Sequence, residues 1–206
     1  MHRQICAKMP LTKFIMNHSL SDYSKEEVGI FFIALQIAIC RHADQFRDSG
    51  ENFHEHVLAV SQMIRELDFG IEVQIAGLLH DVMEDCGMKR TEIANRFGHR
   101  VATMVWSVSK PTKSEDFFKK ILKATKCCPE VIFIKLVDRL HNLTTVYGLR
   151  TEEKQRRFLK ETLGPMAQLI TDCRPHIPAE RKVCYDELSK AVLLLAREKL
   201  EALDES

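Results

Sequence analysis

Apolar positions recur along most of this chain at the spacing of buried helix faces. The stretch from Ile75 to Cys86 shows it most clearly. Ile75, Leu78, Leu79, Val82 and Cys86 stand at i, i+3, i+4, i+7 and i+11, the stripe of one helix. At about 100° per residue, His80, Asp81, Glu84 and Asp85 fall on the opposite side. His80 sits one turn before Glu84, and Asp81 one turn before Asp85. The pattern predicts a single central helix with a buried stripe and a face carrying three carboxylates and an imidazole. Such a face repels itself unless something positive sits among the charges. The competing reading is the solvated face of an ordinary amphipathic helix.

The same periodicity organises the rest of the chain. Residues 1–20 follow no regular pattern and predict a loosely held arm ahead of one domain, 21–206. Ser21 or Ser24 can cap a helix whose first turn holds Glu26 and Glu27. Phe31, Leu35 and Ala38 carry that helix on to about Arg47, before the turn signal Asp48-Ser49-Gly50. Val57, Val60, Ile64 and Leu67 predict a second helix, ended by Phe69-Gly70, with the central helix starting near Ile71. Thr91 to Gly98 reads as a short helix stopped by its glycine, continuing from Val101 to Ser109 until Lys110-Pro111-Thr112-Lys113. Phe117 to Lys126 is amphipathic. Val131 to Val137 has the β-branched content of a strand. Yet Pro129 suits a first turn, and Val131, Ile134, Val137 and Leu140 recur every third residue, which predicts helix. Two helices, about 151–172 and 179–202, close the chain around Pro175 and Pro178. No hairpin signals or repeats appear. The expected fold class is all-α.

Composition narrows the function classes. A chain of 206 residues, 45% hydrophobic and 29% charged, suits a soluble globular domain with a sizeable core. A formal net charge of +1 provides no broad electrostatic footprint for nucleic acid or an anionic membrane. Cysteines at 6, 40, 86, 127, 128, 173 and 184 are odd in number and lack C-x-x-C spacing, as expected in a reducing cytoplasm. No apolar core of a signal peptide accompanies Lys8 and Lys13. The apolar run Gly29 to Cys40 is too short to span a bilayer.

Four separated positions carry groups suited to one metal ion: His56, His80, Asp81 and Asp138. Two imidazoles and two carboxylates form a mixed nitrogen and oxygen set, suited to Mn, Fe, Zn or Co, with room for water and substrate. Each has a plainer reading. His56 is a polar residue at a helix start, with His54 as rival. Asp138 can pair with Lys135 or Arg139 on a solvated face. Asp138, Asn142 and Thr145 align at i, i+4 and i+7, either as a polar face or as one wall of a site.

The flanking residues add a resemblance. The order His56, His80-Asp81, Asp138 is similar to the metal pattern of the HD superfamily of phosphohydrolases. Arg41-His42-Ala43-Asp44-Gln45-Phe46-Arg47-Asp48-Ser49-Gly50-Glu51 resembles that superfamily's AHxGQxRxSGEPY stretch, and His56 to Val60 its HPLAVA. Leu78 to Asp85 resembles LLHDVVEDT, Phe97 to Val108 resembles FGxxVAxLVxGVTK, and Ile134 to Leu143 resembles IKLADRLHNMRT. Together, over about residues 30 to 170, these look like the hydrolase domain of the RelA/SpoT alarmone family. No room is left for a synthetase region, so a small stand-alone hydrolase is expected.

The resemblance implies a compact bundle of about ten helices that removes the 3′-pyrophosphate of ppGpp or pppGpp, usually with Mn²⁺. By matching positions, His56, His80, Asp81 and Asp138 hold the metal, while Glu84 and Asp85 position and deprotonate the attacking water. Arg47 packs on the guanine, Ser49 lies near phosphate, and Asn142 and Thr145 lie against the nucleotide. A divalent cation would offset the acidic groups before an anionic substrate. The chain departs from the family where Asp48 replaces a commonly basic residue, which should weaken attraction for the 3′-pyrophosphate. Asn52-Phe53-His54 replaces a Pro-Tyr-Ile run, and Thr144 a basic residue. Asp48 keeps open a second substrate class, other 3′- or 2′-phosphorylated nucleotides such as NADPH or an adenine alarmone. A nucleotide-binding regulator without turnover is the third reading, disfavoured by the retained Glu84 and Asp85.

Overall fold

The computed structural model describes residues 23–110 and 116–205. The expected arm, 1–20, and Pro111 to Lys113 lie outside the described residues. Among the described residues the regular structure is helical, with one isolated bridge between Phe46 and Asn52. The chain divides into two compact units. One comprises the residues up to Arg47 together with Glu51–Ser109; the other comprises Asp48–Gly50 together with Lys110–Ser206. Among the described residues, no helix is long and apolar enough to cross a membrane.

The first unit contains α1 (Lys25–Arg41), α2 (Phe53–Glu66), α3 (Ile71–Leu78), α4 (Val82–Asp85) and α5 (Arg90–Val108). Ser24 starts α1 with a capping box: the Glu27 N–H donates to Ser24 Oγ and the Ser24 N–H to Glu27 Oε2. The helix stops at Arg41, six positions short of the expected end near Arg47. The reason lies in His42, which is fully buried and leaves the helix to hydrogen-bond Gln45. Beyond Ala38 no buried apolar residue holds the α1 stripe, and Phe46 is exposed.

Helix α3 is the hub of this unit and packs against α1, α2 and α5. Every one of its residues is buried except Glu72. At the crossing with α2 there is no room for a side chain on Gly77, where a Cβ would stand 2.5 Å from Ile64 Cδ1 and 3.3 Å from Ser61 Cα. The predicted stop at Gly98 takes the form of a kink inside α5, where Gly98 has φ +87°, a region open to glycine.

The predicted continuous central helix is not found. Helix α3 ends at Leu78, a turn spans Leu79 to Asp81, and α4 follows as a single turn. Leu79 and Asp81 both have φ −102° with ψ near zero, and Val82 N–H bonds to Leu79 O in the tighter three-residue pattern. Ile75, Leu78, Leu79 and Val82 are buried as expected, and Cys86 is half-buried. His80, expected opposite that stripe, is buried with it. The break rotates the imidazole inward and leaves Glu84 and Asp85 exposed.

The second unit contains α6 (Phe117–Thr125), α7 (Glu130–Thr144), α8 (Glu152–Glu161), α9 (Ala167–Cys173) and α10 (Lys182–Asp204). The β-branched run is the core helix α7, buried from Val131 through Arg139 and packed on α6 and α10. Phe133 meets Tyr185 edge-on at 5.6 Å, and the Tyr185 hydroxyl donates to Ile170 O at 2.7 Å. Helix 151–172 is interrupted by a π-turn, Thr162–Met166, which accommodates Pro165 and its missing N–H.

Gly77→Ala should destabilise the protein by about 1–3 kcal/mol, because the added methyl must push Ile64 and the α2 backbone aside. Urea unfolding would measure this, and an unchanged midpoint would show that the crossing has slack.

Candidate functional site

Three side chains of the first unit converge. His56, on the second turn of α2, is buried and meets the rings of Phe53 and His80 edge-on, with centroids 5.7 and 5.1 Å away. His80 Nδ1 lies 2.8 Å from Gly77 O. A carbonyl can only accept, so this bond puts the proton on Nδ1 and leaves the Nε2 lone pair facing the cluster. His80 Nε2 is 3.2 Å from His56 Nε2 and 3.0 Å from Asp81 Oδ2, and His56 Nε2 is 3.7 Å from the same oxygen. Ligand atoms of all three lie within 4.8 Å of one another. Two imidazole nitrogens and a carboxylate at this spacing, one imidazole oriented by a backbone carbonyl, fit a divalent transition metal. His54 stands apart from this group, its Nδ1 buried without a hydrogen-bond partner.

The turn carrying Glu84 and Asp85 is tied down from the end of α1. The His42 ring donates from Nδ1 to Gln45 Oε1 at 2.7 Å, and Gln45 Nε2 donates to Asp85 O at 3.2 Å. Phe53 stacks on His42 at 4.7 Å and so links that support to His56. The Phe53 ring therefore lies between two buried imidazoles. Burial pushes the His42 imidazole below its ordinary pKa, with the Gln45 bond opposing. Burial raises the Cys86 thiol, and the Asp85 charge adds to that. Arg47 sits in a tight reversal, its N–H bonded to Glu51 O at 2.8 Å and Phe53 N–H bonded to Gln45 O at 2.9 Å.

The second unit holds Asp138, Asn142, Thr145 and Ser49. Asp138 is buried rather than on a solvated face. Its Oδ2 accepts from Lys135 Nζ at 2.7 Å, and Oδ1 accepts a short bond from Asn142 Nδ2. Thr145 Oγ1 donates to Asn142 O at 3.3 Å. Arg139, the rival partner of Asp138, turns instead to Thr162 and Glu161 and lies over the Phe158 ring. Asp48 is paired with Arg150 and Lys154. Phe53, Gly77 and Gln45 carried no local signal for these roles in the sequence, whereas Lys135 was one of the two partners expected for Asp138.

This chain belongs to the HD-domain family, whose model matches residues 34–169. Among curated relatives it is 40% identical over 142 residues to a guanosine-3′,5′-bis(diphosphate) 3′-pyrophosphohydrolase of Aquifex aeolicus, covering 66% of this chain and 20% of that protein. The protein of that name in Haemophilus influenzae is 41% identical over 137 residues, covering 62% and 20%. A probable GTP pyrophosphokinase of Mycobacterium leprae is 36% identical over 154 residues, covering 71% and 19%. The chain spans about a fifth of the length of these relatives. A solved structure described as a metazoan ortholog of SpoT that hydrolyzes ppGpp and plays a role in starvation responses shares the fold. Its TM-score is 0.63 at 22% identity, over 82% of this chain and 96% of that one.

Gln45→Leu should loosen the Glu84–Asp85 turn at a cost of about 1 kcal/mol, from one lost net hydrogen bond. Amide hydrogen exchange at Asp85 and Cys86 should quicken. Unchanged exchange there would mean the Gln45 bond does not hold the turn.

Proposed function

We propose that this chain is a metal-dependent hydrolase that removes the 3′-pyrophosphate of ppGpp or pppGpp, giving GDP or GTP and pyrophosphate. The observation that carries the reading is the convergence of His56, His80 and Asp81, with two exposed carboxylates on the next turn. Asp138 joins these ligands by its place in the matched motif. Mn²⁺ is the expected ion and the cytoplasm the expected compartment. A bound divalent cation would polarise a phosphoryl oxygen and lower the pKa of its water toward neutrality.

The side chains divide the remaining work. Glu84 and Asp85 orient the attacking water and accept its proton, for which their solvent-exposed position on α4 suits them. Arg47 stacks its planar guanidinium on the guanine. Ser49 lies near phosphate, and Asn142 and Thr145 lie against the nucleotide. Asn142 also holds Asp138 in place. The second substrate class rested on Asp48 as a bare negative charge. Its pairing with Arg150 and Lys154 removes much of that motive.

Protein purified without chelator should carry roughly one equivalent of divalent metal. His56→Ala and His80→Ala should lose it, and His54→Ala should keep it. Loss in the His54 variant alone would overturn the ligand assignment. With Mn²⁺ added, ppGpp should yield GDP and pyrophosphate, and release of orthophosphate would point to another substrate. Glu84→Gln or Asp85→Asn should lower kcat by about 10² to 10⁴ with metal content unchanged. Full activity in both variants would reduce the pair to a solvated face.

A further inference from the structure

The segment Asp48–Gly50 is part of the second unit, and the contacts it makes there are specific. Asp48 Oδ1 lies 3.2 Å from Arg150 Nε, and Asp48 Oδ2 lies 3.8 Å from Lys154 Nζ. Beside it, Ser49 is pressed against Gly148. A Cβ on Gly148 would stand 2.4 Å from Ser49 Cβ and 2.9 Å from its backbone Cα. Gly148 ends a short 3-10 turn, Val146–Gly148, that follows directly from Thr145 at the end of α7. Arg150 comes two residues later, and Lys154 lies in the first turn of α8. Ser49, the chain leaving Thr145, Arg150 and Lys154 thus share one local surface.

Within this trio one carboxylate faces two cations. The Asp48 side chain is 29% exposed, whereas Lys154 is 48% and Arg150 77% exposed, so water and solutes reach the cations more readily than the anion. Asp48 engages Arg150 at Nε, and the outward edge of a guanidinium so held suits the oxygens of a phosphate. The nearby Glu152 is engaged by Arg156 at 2.6 Å. Asp48 therefore acts as the anchor that fixes where two basic groups stand, the opposite of the repulsive role expected from sequence.

We propose that Arg150 and Lys154, organised by Asp48, form a phosphate-binding subsite beside Ser49 that supplies the positive charge position 48 lacks. The nucleotide it serves is the one assigned under the proposed function, and the inference rests on that reading only for its identity. The subsite binds phosphate oxygens through charge-assisted hydrogen bonds, so its affinity falls with ionic strength.

The test uses the full chain, first metal-free and titrated with inorganic pyrophosphate by calorimetry at low salt, then loaded with Mn²⁺ and assayed on ppGpp. Arg150→Gln and Lys154→Gln should each weaken pyrophosphate binding and raise KM about tenfold, the scale of one lost charge-assisted bond. Their kcat and metal content should stay unchanged. Lys160→Gln, which removes the same charge from another exposed position of α8, should change neither quantity. Unaltered pyrophosphate affinity in both Arg150→Gln and Lys154→Gln, or equal weakening in Lys160→Gln, overturns the subsite. A protein inert toward ppGpp that still loses pyrophosphate binding only in the first two variants keeps the subsite and overturns the hydrolase reading.

Discussion

A buried imidazole with both ring nitrogens committed is the constraint around which the first unit is built. His80 can be buried only if something accepts its Nδ1 proton, and the carbonyl of Gly77 does so from within the same helix. That bond fixes the tautomer and turns Nε2 toward His56 and Asp81. The ring could not reach that position from the far side of a straight helix, so α3 ends at Leu78 and the chain tightens through Leu79 to Asp81. The helix break, the exposed Glu84–Asp85 turn and the close α2–α3 crossing at Gly77 accompany that one buried ring.

The second unit meets a related demand by a different route. A buried carboxylate needs donors on both oxygens, and Asp138 has them in Lys135 and Asn142, one turn before and one turn after on α7. These local partners come with the helical spacing of the sequence. Asp48 draws its partners instead from Arg150 and Lys154, far along the chain. A substitution that looks unfavourable beside its neighbours in sequence is compensated in space.

Much of this was legible in the sequence, for physical reasons that also mark where legibility stops. Periodicity located α2, α6 and α7 because their apolar residues repeat without interruption, and Pro129 decided between strand and helix at Val131 to Val137. Periodicity could not see the break at Leu79 to Asp81, because the apolar stripe runs on through it. The early end of α1 was hidden too, since His42 and Gln45 close the helix through a side-chain bond rather than a glycine or proline. In the candidate site, the motif positions His56, His80 and Asp81 were legible and the first unit gathers them. Their supports were not, because Gln45 with Asp85 and Phe53 with His42 are tertiary contacts with no local pattern.

The membership of Asp48–Gly50 in the second unit has a consequence for assembly of the molecule. Residues 48–50 emerge during synthesis roughly a hundred residues before Gly148, Arg150 and Lys154, the groups they pack against. Contacts this distant in sequence carry a loop-closure cost that helix formation alone does not, and they form late. The second unit is thus interrupted in sequence. No single cut between Ser109 and Lys110 yields two complete pieces, because the piece after the cut would lack the three residues that dock beside its own helix α8.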